Sequence, residues 1–133
     1  MENATAIVHA GPAIGASFTQ YTAEIAVGGK LGVTALQRFI YVLNGSIAIG
    51  DGRALAPGGY CYLPPGDTRS ITALVPSHVL VIEKEYQPLA GFSQPAFIGG
   101  AESDIDPQPL LGDSDVQVRA FLPASQSFDF AVN

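Results

Sequence analysis

Residue types that commonly carry chemistry are few in this chain. Among 133 residues there are two histidines, His9 and His78, and one cysteine, Cys61. The histidines stand far apart and fit surface or strand-end positions better than a shared site. Cys61 lies between Tyr60 and Tyr62 in a strand-like run, with no cationic neighbour to lower its pKa, so a buried apolar thiol is expected. Ser17, Ser70 and Ser77 lack the strand–turn–helix setting of a nucleophile. Gly28-Gly29 and Gly50-Asp51-Gly52 read as turns and not as phosphate loops, because no helical pattern follows them. Asp104 and Asp106 could be drawn as paired carboxylates. Together with Glu102, Asp113 and Asp115, however, they fall in a proline-rich stretch that fixes no common geometry, and a solvated connector is the expectation.

The elements that would have to position any site are short. Fifteen Gly and ten Pro leave no room for long helices and favour strands joined by tight turns, which excludes an all-α fold. With 47% hydrophobic and only 14% charged residues the chain packs a core. Twelve acids against six bases give a net charge of −6, which argues against nucleic acid or an anionic membrane as partner. A single cysteine forms no internal disulfide and fits a reducing compartment. Met1-Glu2-Asn3-Ala4-Thr5 lacks the basic and apolar stretches of a signal peptide, and no apolar run reaches 18 residues, so a cytoplasmic protein is expected.

Alternation locates the strands. Thr19, Tyr21, Ala23, Ile25 and Val27 share one face of a strand over 16–27. A β-branched and aromatic run over 38–43 stops at Asn44-Gly45, and a hairpin is expected about Gly50-Asp51-Gly52. The run over 60–63 ends at Pro64-Pro65-Gly66, and strands over 69–74 and 78–84 follow. Turn signals every eight to twelve residues or so mark an all-β sandwich or barrel. The barrel is expected over residues 4–86, an irregular acidic and proline-rich linker over 87–114, and further strands over 115–133, including an alternating Phe128–Val132.

The segment from Gly58 to Gly66, a glycine followed after five residues by Pro64-Pro65-Gly66, resembles the second cupin motif. Gln37-Arg38-Phe39-Ile40-Tyr41-Val42-Leu43-Asn44-Gly45 resembles the end of the first. The resemblance implies a cupin-type antiparallel jelly-roll barrel. It extends to Gly15-Ala16-Ser17-Phe18, Glu83-Lys84 with Tyr86, Pro88 and Gly91, and Leu122-Pro123 with Phe128-Asp129. These look like the first half of the ureidoglycine aminohydrolases, two-cupin enzymes of purine (allantoin) catabolism that release ammonia from (S)-ureidoglycine with a manganese ion. On that resemblance the chain is the N-terminal cupin, and breaks off before the metal-binding second one.

The resemblance also says where a metal site would lie. Counting back from Gly45, the first-motif ligand positions fall at Leu31, Val33 and Arg38; counting forward from Gly66, the second-motif histidine falls at Arg69. None ligates a divalent cation, so no metal or other cofactor is expected here, and manganese is expected in the absent second cupin. Arg38 and Arg69, if they face inward, need an anion to answer them. They are the candidate substrate-binding residues, for a small carboxylate held bidentately, unless they sit at the barrel mouth paired with Glu24, Asp67 or water. Three readings follow. One is a structural or oligomerising half of a ureidoglycine aminohydrolase-like protein; another is a stand-alone module binding a small carboxylate; the third, weakest for want of a base in the barrel, is a metal-free enzyme of the isomerase kind. A homo-oligomer is expected, because the apolar face of Phe128–Val132 would otherwise lie in water.

Overall fold

The computed structural model describes every residue except Asp51, and of Ser114 the backbone alone, so the middle of the expected Gly50-Asp51-Gly52 turn lies outside the described residues. The strands are β1 (Glu2–Ala10), β2 (Thr19–Leu31), β3 (Gln37–Asn44), β4 (Ile47–Ile49), β5 (Arg53–Leu55), β6 (Gly59–Leu63), β7 (Ile71–Ala73), β8 (Ser77–Lys84), β9 (Ile98–Ala101), β10 (Gln108–Leu110) and β11 (Asp113–Val118). Among the described residues helix is confined to two single 3-10 turns, Pro12–Ile14 and Glu102–Asp104, and no helix is long and apolar enough to cross a membrane.

Strand β2 organises the barrel because it is long enough to serve two sheets. Its first half pairs with β8, from Thr19 opposite Glu83 to Ile25 opposite Ser77. Its end pairs with β7, Lys30 opposite Thr72 and Leu31 opposite Ile71. One sheet then runs β1-β2-β8-β3-β6-β9 and the other β2-β7-β4-β5, all antiparallel. Val27 was expected on the face of Ile25, but it is 64% exposed. It lies where β2 passes from one sheet to the other, between its pairings with β8 and β7. The free ends meet across a seam. A Cβ at Gly59 would stand 3.0 Å from Leu55 Cβ, and one at Gly99 would stand 2.4 Å from Arg53 Nη1. The result is a nearly closed barrel.

Apolar side chains fill the interior, Leu31, Ile40, Val42, Ile47, Ile71 and Val81 among them, with Cys61 wholly buried opposite Ile40. Gly58 and Gly66, the two glycines of the second motif, take φ of +84° and +73°, conformations that a side chain resists. On the outside of β3 and β6, Phe39 faces Tyr62 and Tyr41 faces Tyr60. Every residue of β6 is buried, because both of its faces are covered.

The outer cover is the C-terminal segment, and here the structure corrects the expectation. Residues 119–133 form no strand. Phe121, Leu122, Phe128 and Phe130 fold back onto Phe39, Tyr60 and Tyr62, with Phe121 4.9 Å from Tyr60 and Phe128 5.0 Å from Tyr62 between ring centroids. Asp129 fastens this strap, accepting hydrogen bonds from Lys84 Nζ (2.5 Å), Gln37 Nε2 (2.6 Å) and Gln87 N (2.8 Å). Alternation over five residues matched a strand, but the aromatic face of the barrel and these three donors satisfy the segment without a ladder. The apolar face offered as the reason for self-association is therefore covered by its own barrel.

The expected linker differs too. Within it β9 completes the sheet, Ile98 opposite Tyr62 and Ala101 opposite Gly59. Its two glycines hide this strand in the sequence, because glycine is depleted in strands. They are there because bulkier residues would collide: a Cβ at Gly100 would come 3.0 Å from Tyr60 Oη. Nor is Glu102 merely solvated, since Tyr41 Oη donates to it at 2.5 Å.

Candidate functional site

Arg38 and Glu83 stand directly opposite each other on β3 and β8, and Tyr21 reaches them from β2. Arg38 is 7% exposed. Its Nε and Nη2 both donate to Glu83 Oε1, at 3.0 and 2.8 Å, and Nη1 donates to the Gly32 carbonyl at 2.9 Å. Tyr21 Oη donates to the same carboxylate oxygen at 2.7 Å. Burial first, then the Glu83 charge and hydrogen bond, push the Tyr21 phenol well up against the opposing pull of Arg38, so it remains a donor throughout the working range of pH. The cluster forms the polar floor of an open cavity of about 370 Å³, rimmed by Met1, Ala6, Val8 and Val33.

Arg69 is placed quite differently. Its side chain is 44% exposed, Nη1 pairs with Asp67 Oδ2, and its own N–H donates to Asp67 Oδ1 at 2.9 Å. The guanidinium carbon stands 4.3 Å from the centroid of the Phe97 ring, and that of Arg53 stands 5.7 Å from the same centroid. Both candidate binding residues thus already hold a carboxylate of the chain itself, Asp67 as one expected pairing had it and Glu83 as none did. Tyr21, Glu83, Arg53 and Phe97 were not picked out as site residues. Glu83 was within reach: once β3 and β8 are neighbours, its opposition to Arg38 follows from register.

No protein-family model matches the chain. Over 96% of its length it is 31% identical to the (S)-ureidoglycine aminohydrolase of Escherichia coli (strain K12), covering 52% of that protein. The crystal structure of protein Ylba from E. coli matches with a TM-score of 0.80 at 29% identity, over 98% of this chain and 54% of that one. A cupin superfamily protein from Desulfitobacterium hafniense DCB-2 matches with a TM-score of 0.54 at 16% identity, over 65% of this chain and 82% of that one, a likeness of fold alone. The barrel is a cupin. The chain is homologous to the ureidoglycine aminohydrolases and spans about half the length, or somewhat less, of the curated relatives it matches.

The positions that the resemblance implies as metal ligands, Leu31, Val33, Arg38 and Arg69, carry side chains that do not fit a metal ion. Leu31 is buried in the core, Val33 is 57% exposed, and neither carries a donor atom. Arg38 is held by Glu83 as its counter-ion. Among the described residues no three His, Cys, Asp or Glu side chains converge as a metal site requires. The histidines sit on the outside, His9 Nε2 at 2.8 Å from Thr22 Oγ1 and His78 Nδ1 accepting from Asn44 Nδ2 at 2.9 Å. Cys61 does feel cations, Arg38, Arg53 and Arg69, but burial outweighs them and pushes its thiol up to about 12. It is no nucleophile at neutral pH.

Proposed function

We propose that this chain is the N-terminal, non-catalytic cupin of a cytoplasmic, ureidoglycine aminohydrolase-like protein, with the manganese-dependent chemistry residing in a second cupin. Its barrel carries and orients that second cupin and takes part in self-association. The observation that supports this reading is the filled interior: Leu31, Ile40, Ile71 and Val81 occupy the barrel, and its one internal ion pair is already complete. Removing ammonia from an aminal carbon requires a proton for the leaving nitrogen and a base for its replacement. Among the described residues the interior offers no side chain free for either task. The 133-residue chain alone is expected to release ammonia from (S)-ureidoglycine no faster than the spontaneous decay of that substrate, and to hold no stoichiometric manganese, iron or zinc after dialysis. Metal-dependent turnover by the chain would overturn the reading.

Self-association is assigned to strand β1. Among the described residues it pairs only with β2, so its other edge is open, and Ile7 and Val8 are exposed on it. Across residues 1–23 the only charged side chain is Glu2, in a chain with twelve acids and six bases. A second copy can meet this edge without bringing acids against acids, and β1 contains neither the Lys nor the Pro that commonly guards an edge. Light scattering at micromolar concentration is expected to give twice the chain mass, and Ile7→Lys to give the single mass. A monomeric parent chain would remove this part of the proposal.

A further inference from the structure

The seam where β5 meets β9 holds a cavity of about 270 Å³ that the preceding reading does not use. Arg53 and Asp104 both line it, and the rest of the wall is small or apolar, Leu55, Pro57, Gly59 and Gly100 among its residues. Four of the six basic side chains pair with carboxylates: Arg38, Arg69, Lys84 and Arg119. Among the described residues Lys30 and Arg53 do not, so Arg53 is the one arginine of four without a carboxylate, and Asp104 has no cationic partner. In a chain with twice as many acids as bases, an arginine left without a carboxylate is a notable exception.

Arg53 is exposed, but its guanidinium lies beside an aromatic ring. Its guanidinium carbon lies 5.7 Å from the centroid of the Phe97 ring. Gly99 supplies the space beside it, since a Cβ there would come within 2.4 Å of Nη1. A methyl group at Gly59 would meet the Ala56 carbonyl at 2.8 Å, so this side of the cavity is also built from backbone that comes close. A pre-oriented guanidinium offers two parallel donors to a carboxylate, and an exposed carboxylate offers acceptors to an ammonium group. An anion alone would leave Asp104 unanswered and would be repelled by it; a cation alone would meet the same obstacle at Arg53.

We propose that the β5–β9 seam binds a small zwitterion, its carboxylate on Arg53 and its ammonium group on Asp104. The cavity has room for a ligand of about amino-acid size. The site stands whether or not the chain is half of an aminohydrolase-like protein. The test is a titration of the full 133-residue chain, followed through the backbone amides of Gly59, Gly100 and Ala101 by two-dimensional NMR. Glycine, β-alanine and 4-aminobutyrate are the probes, their lengths reading the span between the two charges, with acetate and methylammonium as single-charge controls. At least one zwitterion should give saturable shifts at millimolar concentration, at least tenfold more tightly than either control. Arg53→Gln and Asp104→Asn, both changes at exposed positions, should each weaken that binding at least tenfold while leaving the rest of the spectrum in place. Absence of saturation by all three zwitterions would overturn the proposal. So would a control binding within tenfold of the best zwitterion, or variants that bind as the parent does.

Discussion

Glu83→Ala is expected to lower the folding stability by about 3–5 kcal/mol, because it strands a buried cation. Arg38 is almost wholly buried and donates twice to one Glu83 oxygen, which also takes the Tyr21 proton donor. With the carboxylate gone, Arg38 keeps only the Gly32 carbonyl, and Tyr21 loses its acceptor. In a domain of this size the midpoint of thermal unfolding should fall by roughly 10–20 °C. The double variant Arg38→Met, Glu83→Leu should recover most of the loss, since replacing both members of a buried pair with apolar groups removes the desolvation cost along with the attraction. Urea unfolding of the three proteins measures this. A Glu83→Ala loss below about 1 kcal/mol would mean that water answers Arg38, and that the pair is not the floor it is described as.

Asp129→Ala is expected to cost about 3 kcal/mol and to loosen the strap from the aromatic face. The carboxylate holds Lys84, the Gln87 N–H and Gln37, whose side chain is fully buried and in turn accepts from Tyr62 Oη at 2.9 Å. Burial pulls the Asp129 carboxyl up, but the hydrogen bonds from Lys84, Gln37 and Gln87, with the Lys84 charge, outweigh it and leave the group below its ordinary value. A carboxylate depressed by folding contributes stability that is fully present above its unfolded pKa, about 3.9, and is lost as pH falls through the lower folded value. The parent chain should therefore lose stability on acidification below about pH 4, with the strap released and Phe39, Tyr60 and Tyr62 opened to an apolar dye. Asp129→Asn should start lower and show a shallower decline over the same range. Equal acid sensitivity in parent and variant would show that Asp129 is not the fastening.

The cupin barrel was legible before any coordinates because its signals are local. Glycines at 45, 58 and 66 mark backbone that turns with positive φ, and Pro64 ends a strand by removing a donor. Strand alternation needs only neighbouring residues, and so β3, β6 and β8 lie close to where the sequence puts them. Strand β9 was missed because its glycines answer to Arg53 and Tyr60, residues far away in the chain.

Residue types and spacing by themselves determined an all-β barrel, and the resemblance to the cupin motifs implied ligand positions at Leu31, Val33, Arg38 and Arg69. What each arginine meets was decided only in three dimensions. Glu83 faces Arg38 through the register of two strands 45 residues apart. The end of the chain shows the same division. Its alternation was real, but alternation records only which side chains want burial, and the open aromatic face of β3 and β6 decided where they found it. Periodicity is a property of neighbouring residues, whereas charge partners and covered surfaces belong to segments that only folding brings together.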